Sequence, residues 1–312
     1  MDRGQAQDLG NDLLVQSAYR CDAADLWQCR TAAARLDQRR RAEEHRRLGR
    51  IYRLAGLGGR AGSRPCGRCL IQEQRVFAAR AVQKADARPG GYVATGGHGG
   101  VLGAAGHDGS PLLHYLPTAR HTWQSDVNIT RLPYQVTGVR QEGTRIETVA
   151  VAIKGPDGTL LDTAIPKVAI TKDASYWDDY GSPNPEAEVD LIAMIGYMLK
   201  SAPLAGFVIE GFTPYGRSAS NARTRLMLRA VHSGLPVVRV GRGNTEGFVP
   251  LDNPAFIGGS NLTATKARLL LMACLMKFGT LPPAANPDQP TAEEAAAVRE
   301  KVAAYQTIFN TH

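Results

Sequence analysis

Three stretches of this chain carry residue types that can do chemistry. Cys66-Gly-Arg-Cys69 is a C-x-x-C, the spacing used by zinc and redox sites. Pro89 to Gly103 is a glycine-rich run that holds Thr95 and His98. Leu112 to Thr122 brings His114 and His121 close in sequence, with Asp126 shortly after. None of them meets the full requirement of its chemistry. A zinc site needs a second ligand pair at matching spacing, and Cys21, Cys29 and His45 do not supply one. A phosphate loop needs G-x-x-x-x-G-K-[ST], or a glycine fingerprint between a strand and a helix, and neither is read here. Glycine in the run most simply means permissive backbone. His114, His121 and Asp126 match no metal signature, so they are read as linker residues and no metal site is expected there.

A further place for chemistry follows from the fold that the second half must adopt. Phe207-Val-Ile209 is a short apolar run between Gly206 and Gly211. A helical pattern follows at Ala222, Leu226, Leu228, Ala230 and Val231. Gly234-Leu-Pro-Val-Val-Arg-Val-Gly241 reads as a second buried strand, and Ala255-Phe-Ile-Gly-Gly259 as a third. Thr263 is placed to cap a helix that turns apolar through Met272. Short apolar strands alternating with helices imply a parallel sheet of βαβ units. Ligands of such sheets sit at the carboxyl ends of the strands. Here those ends are Glu210 to Tyr215 and Arg239 to Glu246.

Other elements complete the reading. Lys167 to Lys172 is expected as the first strand of this sheet. Glu186 to Leu199 is expected as an amphipathic helix, with Val189, Ile192, Ala193, Ile195 and Met198 toward the core. Thr291-Ala-Glu-Glu294 has the form of a capping box opening the last helix. Between Val136 and Leu161, strand patterns are read at Arg145 to Ile153 and Thr159 to Leu161, about a turn at Gly155 to Gly158.

The first 74 residues have another character. Residues 1–80 hold 16 Arg, no Lys and nine acidic residues, so most of the net charge of +8 lies there. No strand pattern is read, and a polar helix over Thr31 to Arg50 has too few apolar residues for a core face. Three readings stay open: a disordered extension, a nucleic-acid-binding arm, or translation in another frame of a GC-rich gene. The lack of lysine and of interleaved aromatics weighs against nucleic acid. The rest of the chain is close to neutral, which suits an enzyme of small molecules. Five cysteines, one of them after residue 70, make no disulfide framework for the body. No run of 18 apolar residues occurs, so no membrane span is expected. No basic-then-apolar leader is read at the N-terminus, which gives a cytoplasmic expectation.

Several of these segments, in this order, resemble the bacterial two-domain L-asparaginases. They are Arg75 to Lys84 with its A-R-x-V-x-K, Pro117 to Thr122, GFVIEGF at Gly206–Phe212, G-x-P-V-V-R at Gly234–Arg239, FIGGSNLTATKARLLLM at Phe256–Met272, and the ending Tyr305 to Asn310. The resemblance covers residues 75–312. It implies an α/β fold with a parallel-sheet C-terminal domain and flanking helices, plus the remnant of a larger N-terminal α/β domain. It divides the chain into the arginine-rich segment 1–74, an N-terminal remnant and linker at 75–135, an inserted β-hairpin at 136–166 and the C-terminal domain at 167–312. It implies hydrolysis of L-asparagine, with L-glutamine as a second candidate substrate, to the acid and ammonia, without metal or organic cofactor. It further implies a homotetramer, and the periplasm as the alternative compartment. Lys84 falls on the family's catalytic lysine. The family's T-G-G-T-I and T-D-T motifs are not found, and Thr95 is the nearest nucleophile that remains. Glu246 and Asp252 are the nearest acids for binding the substrate. An amino-acid-binding member without catalysis is the alternative.

Overall fold

The computed structural model describes residues 69–86, 91–95, 97–105, 111–117, 125–173, 184–212, 216, 218, 220–242 and 249–312. The arginine-rich segment through residue 68, together with Cys66, His121 and Glu246, lies outside the described residues. The chain divides into two compact units between Thr122 and Trp123.

The described part of the first unit is built of antiparallel strands and 3-10 turns. Strand β1 (Cys69–Gln72) pairs with β2 (Arg75–Ala78), β2 with β5 (Val101–Ala105), and β5 with β6 (Pro111–Leu113). Strands β3 (Val82–Lys84) and β4 (Tyr92–Ala94) make a separate two-stranded ladder. A strand before residue 75 is a departure from the sequence expectation. Glu73 and Gln74, both at positive φ (50° and 62°), close the tight turn between β1 and β2. Such turns usually advertise themselves by Asn or Gly, which is why this one is silent in the sequence. Val76, Ala78, Ala81 and Leu102 form the small core beneath.

The second unit is an α/β structure with a parallel sheet. Strand β7 (Gln135–Glu142) pairs antiparallel with β8 (Arg145–Ala152) as a hairpin. The parallel sheet then runs in chain order: β9 (Lys167–Lys172), β10 (Ala205–Gly211), β11 (Val237–Gly241) and the short β12 (Ile257–Gly258). Helices α1 (Val189–Ser201) and α2 (Asn221–His232) cross back from β9 to β10 and from β10 to β11. Helices α3 (Ala264–Phe278) and α4 (Ala292–Thr311) follow the last strand. The helices α1 and α2 pack on one another, α3 packs across β9, β10 and β11, and α4 lies along β12. Phe207, Val208, Val237, Val238, Val240 and Ile257 are fully buried, as a sheet covered on both faces requires. Gly206 is a place of close approach, since a Cβ there would stand 2.8 Å from the carbonyl of Pro236.

Within the second unit, two expectations need adjustment. The hairpin turns at Gly143 and Thr144, not at Gly155 to Gly158. Gly143 has φ +61°, as the first central residue of a type II′ turn requires. The later turn closes a single bridge, Lys154 with Leu160. The core face of α1 is Leu191, Ile195, Met198 and Leu199, at i, i+4, i+7 and i+8. Val189 is the first helical residue and is 66% exposed, and Ala193 is exposed on the outer face.

The caps fall where their residue types place them. Ser220 Oγ accepts from the Arg223 amide at 3.2 Å to open α2, and Thr263 opens α3 in the same way. At α4, Thr291 Oγ1 accepts from the Glu294 amide at 3.2 Å, and Glu294 Oε2 accepts from the Thr291 amide at 2.8 Å. We expect Thr291→Ala to cost about 1 kcal/mol in urea unfolding, with the m-value unchanged. No helix of the described residues is long and apolar enough to cross a membrane.

Candidate functional site

Strands β9 and β10 end, and β11 runs past its midpoint, at a buried cluster of four charged side chains. Thr171, Ile209 and Arg239 are lateral neighbours in register, so their side chains emerge on one face of the sheet. Leu191 of α1 and Met227 of α2 cover them there. Asp173 follows β9 directly and is 3% exposed. Glu188 precedes α1 and is also buried. Arg223, in the first turn of α2, reaches both: its Nε lies 3.4 Å from Asp173 Oδ1 and its Nη1 2.7 Å from Glu188 Oε2. The Arg239 guanidinium stacks 3.9 Å from the centre of the Phe256 ring, a cation–π contact inside the protein.

The charges of this cluster balance, two carboxylates against two guanidinium groups. Burial pushes the Asp173 carboxyl above its ordinary value, while a hydrogen bond from Ser218 and the charges of Arg223 and Arg239 pull it back; Glu188 adds to the upward push. The space among these side chains leaves no room for a water molecule. Among the described residues, these side chains leave no space of substrate size. What it can do is hold the starts of α1 and α2 against the strand ends that carry the connecting loops.

The sequence reading named none of these four as a site; Arg239 entered only as part of a buried strand and its end. The signal that could have found the cluster is that arginine, since a buried arginine in an apolar run demands compensation. Asp173, Glu188 and Arg223 come from three other segments far apart in the chain, so spacing alone does not connect them.

The residues singled out in the sequence sit elsewhere. Lys84 ends β3, half-buried, with its Nζ 4.9 Å from the centre of the Tyr92 ring, its cross-strand neighbour. Thr95 follows β4 and is fully buried; its amide donates to the Ala81 carbonyl at 2.9 Å. The ladder puts Lys84 opposite Tyr92 and Thr95 opposite Ala81. Three registers separate them, roughly 10 Å along the strands. The two are not brought together as a nucleophile and its base, which need hydrogen-bond reach. Asp252 is exposed in the segment ahead of β12. His114 and Asp126 are also exposed, and no group of three metal-ligating side chains forms among the described residues. Cys274 is buried in the core of the second unit, where burial pushes its thiol far up and leaves it inert.

Neither a family model nor a curated protein matches the sequence. Among solved structures, the chain is similar to a probable cytoplasmic L-asparaginase from Campylobacter jejuni, at 17% identity and a TM-score of 0.49. The match covers 84% of this chain and 64% of that one, so this chain spans less than two thirds of that protein's length.

Proposed function

We propose that this chain is an L-asparaginase-type amidohydrolase, converting L-asparagine and water to L-aspartate and ammonia, with L-glutamine as a second substrate. The observation that supports this best is the order in which its motifs meet the sheet. Gly206–Phe212 falls on β10, Gly234–Arg239 leads into β11 and occupies its first part, and Phe256–Met272 covers β12 and the first part of α3. The three strands are neighbours in one parallel sheet, and α3 follows the last of them. In this reading Lys84 handles the proton, and Asp252 and Glu246 hold the substrate's ammonium group. The assembly is a homotetramer, and no metal or organic cofactor takes part.

The test is ammonia release from L-asparagine by the purified chain and by Lys84→Met. A general acid–base residue contributes about 10²- to 10⁴-fold, so the variant is expected to lose at least about 100-fold with its melting temperature unchanged. A folded parent chain that releases no ammonia overturns the activity.

A second reading is an amino-acid-binding protein without turnover. The three registers between Lys84 and Thr95 favour it. It predicts that L-asparagine and L-aspartate raise the melting temperature by mass action while no ammonia appears.

A further inference from the structure

A cleft of about 420 Å³ opens in the second unit, away from the strand-end cluster. Its size lies in the range of small-molecule sites. One wall is the face of α4 that carries Ala297, Glu300, Lys301 and Ala304, the i, i+3, i+4, i+7 stripe of a helix. The opposite wall is the hairpin. Thr137 of β7 and Thr148 of β8 line the cleft. Val139 pairs with Thr148, so Thr137 and Thr148 emerge on the same face of the ladder. Leu281, Pro282 and Pro283 make an apolar floor. Thr280 ties this floor to the hairpin, its amide donating to the Thr137 carbonyl at 2.8 Å.

We infer that this cleft is a binding site for a small monocarboxylate with a compact apolar body, whose carboxylate pairs with Lys301. Four observations meet here. Lys301 is half-buried, yet no hydrogen bond or ion pair engages its ammonium group among the described residues. Burial alone lowers its pKa below the ordinary lysine value, so its charge is desolvated without compensation. An incoming carboxylate supplies that compensation as a charge-assisted hydrogen bond. The Thr137 and Thr148 hydroxyls make no hydrogen bond within the described residues and face the same space, ready to bond a ligand oxygen. The floor and the two alanines match a short hydrocarbon body. Glu300, beside Lys301, disfavours a second carboxylate and can accept from an ammonium group, so both a plain fatty acid and a zwitterionic amino acid share the required chemistry. The site is independent of Lys84, which belongs to the other unit.

Sodium butyrate, L-alanine and n-butylamine are titrated into the full chain, followed by calorimetry and ligand-observed NMR. Butyrate or L-alanine is expected to bind saturably, and butylamine is not. Tighter binding of L-alanine assigns the site to amino acids through Glu300, and tighter binding of butyrate assigns it to plain carboxylates. Lys301→Met is expected to weaken binding about tenfold or more. Ala297→Trp, at an exposed helical position that adds a ring to the cleft, is expected to abolish it, and it keeps the test valid if Lys301→Met does not fold. No saturable binding of either carboxylate overturns the inference. So does equal binding of butylamine, or binding that survives whichever folded variant is measured.

Discussion

Replacing Arg223 by methionine is expected to cost about 3–5 kcal/mol, the penalty for leaving buried charge without its partner. Arg223 stands between two carboxylates whose side chains are only 1% and 8% exposed. Methionine fills much of the same volume but donates nothing. Arg239 remains, stacked on the Phe256 ring and acting on Asp173, but it is one cation beside two carboxylates. The loss is therefore larger than for an exposed ion pair, which contributes about 0–1 kcal/mol. Chemical denaturation at neutral pH measures it, and a change under about 1 kcal/mol would show that water enters the cluster after all.

The same variant has a pH signature. In the parent, burial already holds the Asp173 carboxyl above its ordinary value. A carboxylic acid whose folded pKa exceeds the unfolded one binds protons more tightly when folded. Its contribution to stability is greatest below the unfolded pKa and is lost as pH rises to the folded pKa. Removing Arg223 removes one of the downward pulls on Asp173. The window of declining stability should thus extend to higher pH in Arg223→Met. The gap between parent and variant should be smallest in acid and reach its plateau near neutrality. Unfolding free energies across that range test the sign directly, and a gap that widens in acid would contradict it.

Gly279→Ala is expected to cost a similar amount, about 3–5 kcal/mol, for a different reason. Gly279 caps α3 at φ +73° and ψ −169°, a region of backbone space that is essentially reserved for glycine. A Cβ there would stand 2.3 Å from the Thr137 carbonyl oxygen. That oxygen cannot easily retreat, because it accepts from the Thr280 amide and holds the hairpin in place. The Gly279 carbonyl in turn accepts from the buried Tyr305 hydroxyl of α4. One methyl group therefore strains the backbone, pushes on β7 and disturbs a buried hydrogen bond together. Thermal unfolding should show a lowered midpoint without loss of cooperativity. A shift as small as that of an exposed alanine substitution would mean that the hairpin is free to move.

These two positions also mark what was and was not legible in the sequence. The strands of the parallel sheet were legible because their apolar runs are short, bounded by Gly and Pro, and buried on both faces. The openings of α3 and α4 were legible because Thr263 and Thr291 satisfy amides that are only a few residues away. The core face of α1 was read one step askew, since Val189 is apolar but begins the helix and looks outward. The hairpin register was misread because Gly155 to Gly158 carries a stronger turn signal than Gly143, although the longer ladder forms around Gly143. Strand β1 was missed because Glu73 and Gln74 adopt a glycine-like turn without glycine.

Local chemistry is thus what the sequence by itself determined: parallel α/β architecture in the second unit, and the helix caps. Tertiary structure decided which charges meet. Asp173, Glu188, Arg223 and Arg239 lie on four separate segments and converge only because parallel strands end side by side beneath the starts of their crossover helices. The same holds for Lys84 and Thr95, which are 11 positions apart in the chain yet set apart by the register of one small ladder. Partners within a few residues follow from spacing, because the backbone fixes their distance. Partners across the fold follow from packing, and no spacing rule reaches that far.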